Sequence, residues 1–231
     1  MLENIELISI KMPRTGSSTF GSILHQVFPD STIGHFIGNM KHNPLIYNPN
    51  SWFYSSDNPA EKFQKELEGY SETGNKECVH NHVPVTFFDG IWEDTPRITF
   101  MREPVSWLLS CYWYARALSH IPKEMKIWDY IELDYRRNWM SMLMGGSVDR
   151  FSYIGFQETW LQDTIKILRN FISVPELTKI CNNNTPKRNV MTDSAYLSFR
   201  KTIVRNKIFI NRCKELHKED FELYEIAKGK R

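Results

Sequence analysis

The chain has 231 residues, of which 41% are hydrophobic and 13% aromatic, enough for one domain with a sizeable core and too apolar for a disordered chain. A net charge of +2 excludes a protein that coats nucleic acid, which needs a strongly basic face, but allows a local basic pocket for a small anion. Cys78, Cys111, Cys181 and Cys213 are widely spaced with no CxxC pair, which excludes a zinc knuckle or a dense disulfide framework.

Ile5 to Ile10 (IELISI) predicts a short buried strand. KMPRTGSSTFGSILHQVF follows at once, a turn rich in Gly, Ser and Thr that enters an apolar helical run. Strand, loop and helix in this order open an α/β fold. From Pro29 to about Gly74 the chain is irregular and rich in Asn, Pro, Ser and aromatics, with one helix expected at Ala60–Glu68. We expect this stretch, about 29–75, to be an insertion on the acceptor side of a single domain spanning 1–231, because long ordered aromatic loops usually bind something.

ECVHNHVPV and PRITFM predict two further strands. The second runs through Arg102-Glu103-Pro104 into a helix, with the proline at a favoured first-turn position. Helices are expected at Ile127–Leu143 and Thr159–Ile172, a strand at Ser152–Phe156, and a helical region from Ala195 onward that breaks near Phe209. This alternation predicts a three-layer α/β fold of the P-loop NTPase type, a mostly parallel central sheet flanked by helices. The first residues fit neither a signal peptide nor a membrane anchor. The longest apolar run, Val105 to Leu118, is too short to span a bilayer and contains Arg116. A soluble, cytoplasmic protein is expected; a catalytic domain cut from a membrane-anchored parent would carry the same signals.

Two segments carry the chemistry. A loop between a buried strand and a helix N-terminus gathers free backbone N–H groups at the positive end of the helix dipole, which suits a phosphate. Gly16 allows close approach, Ser17, Ser18 and Thr19 offer hydroxyls, and Arg14 brings a fixed charge. The loop lacks the Gly-Lys-Ser/Thr ending of Walker A, so it is suited to a shorter phosphate chain than a nucleoside triphosphate. Arg102 falls at the C-terminal end of a strand, where open α/β sheets bind ligands. Ser110 follows two turns into the next helix, and the pair is placed to hold a second phosphate.

In ordered combination these segments resemble the sulfotransferases that use 3′-phosphoadenosine 5′-phosphosulfate (PAPS). PRTGSSTF (Pro13 to Phe20) is similar to their 5′-phosphosulfate loop. REPVSWLLSCY (Arg102 to Tyr112) is similar to their 3′-phosphate motif, an Arg followed eight residues later by a Ser. HNHV (His80 to Val83) resembles the His-x-His-Val of carbohydrate sulfotransferases, especially those acting on uronic acid 2-hydroxyls. YIGFQETW (Tyr153 to Trp160) and DFELYEIA (Asp220 to Ala227) are similar to later family segments. Glycan-modifying members usually carry Lys at the position of Arg14, whereas tyrosylprotein and many bacterial members carry Arg.

The resemblance implies a site division. His82 is the expected general base, with His80 orienting it or the acceptor. Arg14 is expected at the leaving oxygen and, with Thr15, Gly16, Ser17, Ser18 and Thr19, at the 5′-phosphosulfate. Arg102 and Ser110 are expected at the 3′-phosphate, and Lys187 and Arg188 in NNNTPKRN on a loop closing over the cofactor. PAPS is the expected donor, adenosine 3′,5′-bisphosphate (PAP) the product, with no metal required. The acceptor is expected to be a small molecule or glycan, with a leaning to carbohydrate, and no nucleic-acid partner is expected. Two other readings fit the residues: a P-loop kinase of small molecules or nucleotides, and a non-catalytic module that binds adenosine bisphosphate or a glycan.

Overall fold

The structure is a computed structural model that describes residues 5–28, 61, 78–134, 137–184 and 194–231. The expected helix at Ala60–Glu68 and the irregular stretch lie almost wholly outside those residues. Strands β1 (Leu7–Ile10), β2 (Cys78–Asn81), β3 (Arg97–Met101) and β4 (Tyr153–Phe156) form a parallel sheet in the order β2-β1-β3-β4. Both faces of β1 are buried, which explains its unbroken apolar character apart from Ser9. The register sets Ser9 beside His80 on one side and Ile98 on the other.

Helix α1 (Ser17–Val27) packs beside α5 (Trp160–Leu168) and α6 (Val174–Asn184) on one face of the sheet. Leu7, Phe20, Leu24, Cys78, Ile98, Phe100 and Leu168 form the core there. Helix α2 (Pro104–Ala117) lies on the opposite face with α3 (Ile127–Ile131), α4 (Trp139–Leu143), α8 (Lys207–Leu216) and α9 (Lys218–Gly229). Ile8, Ile10, Val79, Met101, Trp107 and Leu108 belong to this second core. Side chains of successive strand residues enter opposite cores, as the two-residue period of a strand requires. These are the expected three layers. Cys111 packs in the second core, and all four cysteines are free and buried. No helix among the described residues is long and apolar enough to cross a membrane.

Several elements differ from expectation: the helix expected at Thr159–Ile172 ends at Leu168, and α6 matches no expected element. The segment 127–143 forms two short helices rather than one, and Asn138 enters α4 in the left-handed region with φ of 51°. The C-terminal helical region is three helices, α7 (Ser194–Ile203), α8 and α9. Its break precedes Phe209, because the Asn206 side chain caps α8 by accepting from Phe209 N at 3.1 Å. Glu103 likewise starts α2, its carboxylate accepting from Val105 N and Ser106 N at 3.0 and 2.7 Å.

Asp220, at the head of DFELYEIA, is buried and caps α4 from a distance: Oδ1 accepts from Ser141 N at 2.7 Å. Leu223 and Tyr224 bury into the core, and Tyr224 meets Phe156 edge-on. Burial raises the Asp220 carboxyl to about 7 from an ordinary value of 3.8, against the lowering effect of the Ser141 and Met140 amides. The folded chain therefore binds a proton that the unfolded chain releases, and stability falls as pH rises from about 4 to 7. Asp220→Asn keeps the accepting oxygen and removes the titration. Its melting temperature should vary less than wild type across that window and exceed it at pH 8, measured by thermal denaturation; parallel curves would contradict this.

Candidate anion-binding site

The order β2-β1-β3-β4 reverses direction between β1 and β3: the chain leaves β1 for one neighbour and later returns to the other. At such a switch point, the crevice beyond the C-terminal ends of the strands is where open α/β sheets bind ligands. The loop 11–16 leaves β1 at this point, and Arg102 leaves β3 at the same level.

The loop is held from several sides. Trp107, wholly buried in α2, donates Nε1–H to the Pro13 carbonyl at 2.8 Å. Thr15 is buried and spends its hydroxyl on the Met12 carbonyl at 2.9 Å. Two left-handed residues on either side of Thr15, Arg14 with φ of 62° and Gly16 with φ of 87°, turn the chain into α1. For Arg14 this conformation is strained, which is tolerated where the surroundings over-determine it. Gly16 has a second constraint, since a Cβ there would stand 2.7 Å from Trp160 Nε1. No side chain caps α1, so its first-turn amides face the crevice without an internal acceptor from a cap residue. Ser17 is buried, Thr19 half-buried and Ser18 exposed.

The arginines gather on the α2 side. Arg14 Nε donates to Ser110 Oγ at 3.2 Å, and its guanidinium lies 4.3 Å from the centre of the Tyr114 ring. Arg102, buried, donates Nη1–H to the Arg14 carbonyl at 3.3 Å. Helix α7 adds Arg200, which donates to Ser106 Oγ at 3.3 Å. None of these arginines forms an ion pair among the described residues; Glu103 is occupied at the start of α2 and Glu158 accepts from Glu103 N at 3.0 Å. Burial, and then the neighbouring Arg200 charge, hold the Arg102 guanidinium below its ordinary value, against an upward pull from Tyr196. Arg102 Nε, Tyr196 Oη and Trp160 Nε1 are buried with no hydrogen-bond partner among the described residues. Unpaired buried donors beside clustered cations are costly by themselves and become favourable once an anion with several acceptors enters.

The opposite wall is β2. His80 is buried, with Nε2 at 3.1 Å from the Ser17 carbonyl and Nδ1 at 2.9 Å from Ser9 Oγ. A carbonyl only accepts, so Nε2 carries the proton and Nδ1 accepts from the Ser9 hydroxyl. Burial, reinforced by the Lys11 charge, lowers His80 to about 3; the neutral ring ties β1, β2 and the start of α1 together. His82 lies one residue past β2, and its ring is likewise held well below its ordinary value, by burial first and then by Lys11 and His80. Its Nδ1 is buried and unpartnered among the described residues.

The structure thus links Arg14 to Ser110 by its side chain and to Arg102 by its carbonyl, and places His82 toward the β2 side of the loop. Lys187 and Arg188 lie outside the described residues. Sequence reasoning missed Arg200, Tyr196 and Trp160. Arg200 and Tyr196 sit on a helix with no motif of its own, and Trp160 ends a segment whose Glu drew attention first. A second hollow, at the β4 edge between Tyr153, Lys166 and Arg231, lacks this character. Arg231 there pairs with the buried Asp163 at 2.7 Å and Lys230 pairs with Asp149.

Two solved structures of retinol dehydratase match the chain over most of its length. The complex with androsterone and inactive cofactor PAP has a TM-score of 0.53 and 14% identity, covering 93% of this chain and 79% of that one. The complex with retinol and PAP has a TM-score of 0.54 and 15% identity, covering 94% and 80%. The retinol dehydratase fold is this fold. No protein-family profile and no curated protein matches the sequence.

The loop geometry makes a prediction. Gly90 also has positive φ, 76°, but nothing lies within 4 Å of a Cβ placed there. Gly90→Ala should cost only the left-handed strain, about 1 kcal/mol. Gly16→Ala adds the clash with Trp160 and should cost about 1–3 kcal/mol more, read by chemical denaturation. Equal costs would contradict the close packing of Trp160 on the loop.

Proposed function

We propose that the chain is a sulfotransferase that moves a sulfuryl group from PAPS to an acceptor hydroxyl. The observation that carries this is the gathering of Arg14, Arg102 and Arg200, which form no ion pair among the described residues, near donors of Arg102, Tyr196 and Trp160 that have no partner among those residues. The motif resemblance and the shared fold with a PAP-bound protein support PAP as the group that would fill it.

Bound PAPS supplies an activated sulfuryl group whose departure leaves PAP. Arg102 and Ser110 hold the 3′-phosphate, with Arg14 beside them: its Nε reaches Ser110 Oγ and its carbonyl accepts from Arg102. The uncapped first turn of α1, with Gly16, Ser17, Ser18 and Thr19, receives the 5′-phosphosulfate. Transfer of this kind passes through a loose transition state, so positioning and charge stabilisation dominate. His82 takes the acceptor proton, as the acceptor oxygen forms its bond to sulfur and the bond from sulfur to the bridging oxygen breaks. His82 is neutral at physiological pH and is ready to accept without first losing a proton. An anion bound beside Lys11 offsets the field that depresses the ring, raising His82 toward the range where a base works well. His80 positions this wall through Ser9 and Ser17 and keeps its ring nitrogens occupied in doing so.

The HNHV element favours a carbohydrate hydroxyl as acceptor. Androsterone and retinol, held by proteins of the same fold, are alcohols of apolar small molecules, so an acceptor screen should contain both classes. Calorimetric titration tests the reading. Wild type should bind PAP with micromolar affinity and Mg-ATP far more weakly, and Arg102→Ala should lose at least about 30-fold on PAP, two or more kcal/mol for a buried charge-assisted contact. His82→Gln should retain PAP binding and lose about 10²–10⁴-fold in turnover with PAPS. Preference for Mg-ATP would replace this reading with a kinase.

A further inference from the structure

Residues 194–214 hold six of the chain's 29 lysines and arginines, Arg200, Lys201, Arg205, Lys207, Arg212 and Lys214, and none of its 27 aspartates and glutamates. The rest of the chain is therefore net negative. Helix α7 divides its share of this charge between two faces. On the inner face Tyr196 and Phe199 pack against Trp113 of α2, with ring centres 5.4 and 5.8 Å away, and Arg200 reaches Ser106. Leu197, Lys201 and Val204 follow the helical repeat on the other side, and all three are exposed. Val204 lies one residue past α7, but its N–H still donates to the Arg200 carbonyl at 3.0 Å, so the repeat reaches it. Asn206 then caps α8, and Val204, Arg205, Lys207 and Ile208 share the corner between the two helices. Ile208 is 75% exposed, more than any other large apolar side chain among the described residues. Trp128 of α3, also exposed, meets Phe209 edge-on with ring centres 5.0 Å apart.

We propose that the outer face of α7 and its corner with α8 form a docking surface for an anionic membrane. Lys201, Arg205, Lys207 and Lys214 are exposed and form no ion pair among the described residues. The nearby carboxylates are already engaged: Glu132 and Glu215 pair with Arg212, and Asp129 accepts from Lys126 N at the start of α3. The surface is therefore complementary to negative charge. A soluble polyanion would satisfy the cations but leave Leu197, Val204, Ile208 and Trp128 in water. A bilayer interface takes both, since headgroup phosphates meet the cations while the apolar side chains enter the boundary of the acyl region. Exposed apolar residues scattered singly need no explanation, but here they alternate with cations over 197–208. Arg200 and Tyr196 lie on the inner face of the same helix, so docking its outer face steadies one wall of the crevice. The proposal stands independently of the sulfotransferase reading.

Co-sedimentation of the full chain with vesicles tests this, using phosphatidylcholine alone and equal parts of phosphatidylcholine and phosphatidylserine. Wild type should bind the anionic vesicles, less so as salt rises, and leave the neutral ones unbound. Lys201→Gln with Lys207→Gln should weaken binding about 30-fold, the loss expected for two lysines at an anionic surface. Leu197→Ser with Ile208→Ser should weaken it about tenfold, and by a similar factor at high salt, because apolar insertion is not screened. All four side chains are exposed, so both variants should melt with wild type. Lys179→Gln, an exposed lysine of α6 on the opposite face of the sheet, should bind as wild type does. Equal binding to neutral vesicles, or an equal loss in Lys179→Gln, would overturn the proposal. Binding to dextran sulfate without binding to vesicles would overturn it in favour of a soluble polyanion. A concentration-dependent dimer, seen by analytical ultracentrifugation and lost with Ile208→Ser, would overturn it in favour of a second copy of the chain.

Discussion

Arginines brought together with no ion pair among the described residues are the constraint on which the site depends. Arg14 and Arg102 meet through a guanidinium-to-carbonyl hydrogen bond, and Arg200 depresses Arg102 from the neighbouring helix. Like charges in a partly desolvated crevice repel, and the packing that enforces them must come from elsewhere. It comes from the two cores. Trp107 fixes Pro13 from the α2 side, and His80 fixes Ser17 from the β2 side, so the loop between them has little freedom to let the charges separate. The left-handed backbone of Arg14 is held by that double anchoring. Under the sulfotransferase reading this constraint would preorganise the site for an anion, which is where charge stabilisation gains its leverage.

The same frame divides the crevice into two ends. Toward α2 lie the guanidinium groups, Ser110 and the aromatic face of Tyr114; toward β2 lie Lys11, His80 and His82. Arginine presents several fixed donors at the first end, whereas the lysine at the second is a single point charge whose pKa burial lowers. His80, although it shares a motif with His82, differs from it physically. Both His80 nitrogens are engaged, whereas His82 keeps a buried Nδ1 with no partner among the described residues.

Much of this was legible in the sequence. The strand, loop and helix from Ile5 onward, the strand before Arg102 and the helix holding Ser110 follow from periodicity and from proline and glycine placement, and they lie where expected. What periodicity does not carry is side-chain direction. The two arginine motifs were separable in sequence, but a turn through two left-handed residues sends Arg14 toward the Arg102 motif. Arg200 and Tyr196 reach the crevice only because α7 packs on α2, a contact between segments 94 residues apart at Arg200 and Ser106. Lys11 had no expected role in the turn after the strand, and its place beside the end of β2 comes from the bond of its N–H to the Asn81 carbonyl. DFELYEIA, by contrast, proved to hold structural residues: Asp220 caps α4 and Tyr224 packs on Phe156.

The central claim is that Arg14 and Arg102 serve one phosphate. The direct measurement is a double-mutant cycle of Arg14→Ala and Arg102→Ala, titrated calorimetrically with PAP and with adenosine 5′-monophosphate, which lacks the 3′-phosphate. The account predicts that each substitution weakens PAP while leaving the monophosphate nearly unchanged, and that the two effects on PAP are strongly non-additive. If Arg14→Ala weakens the monophosphate as much as PAP, Arg14 belongs to the 5′ end and the account is wrong.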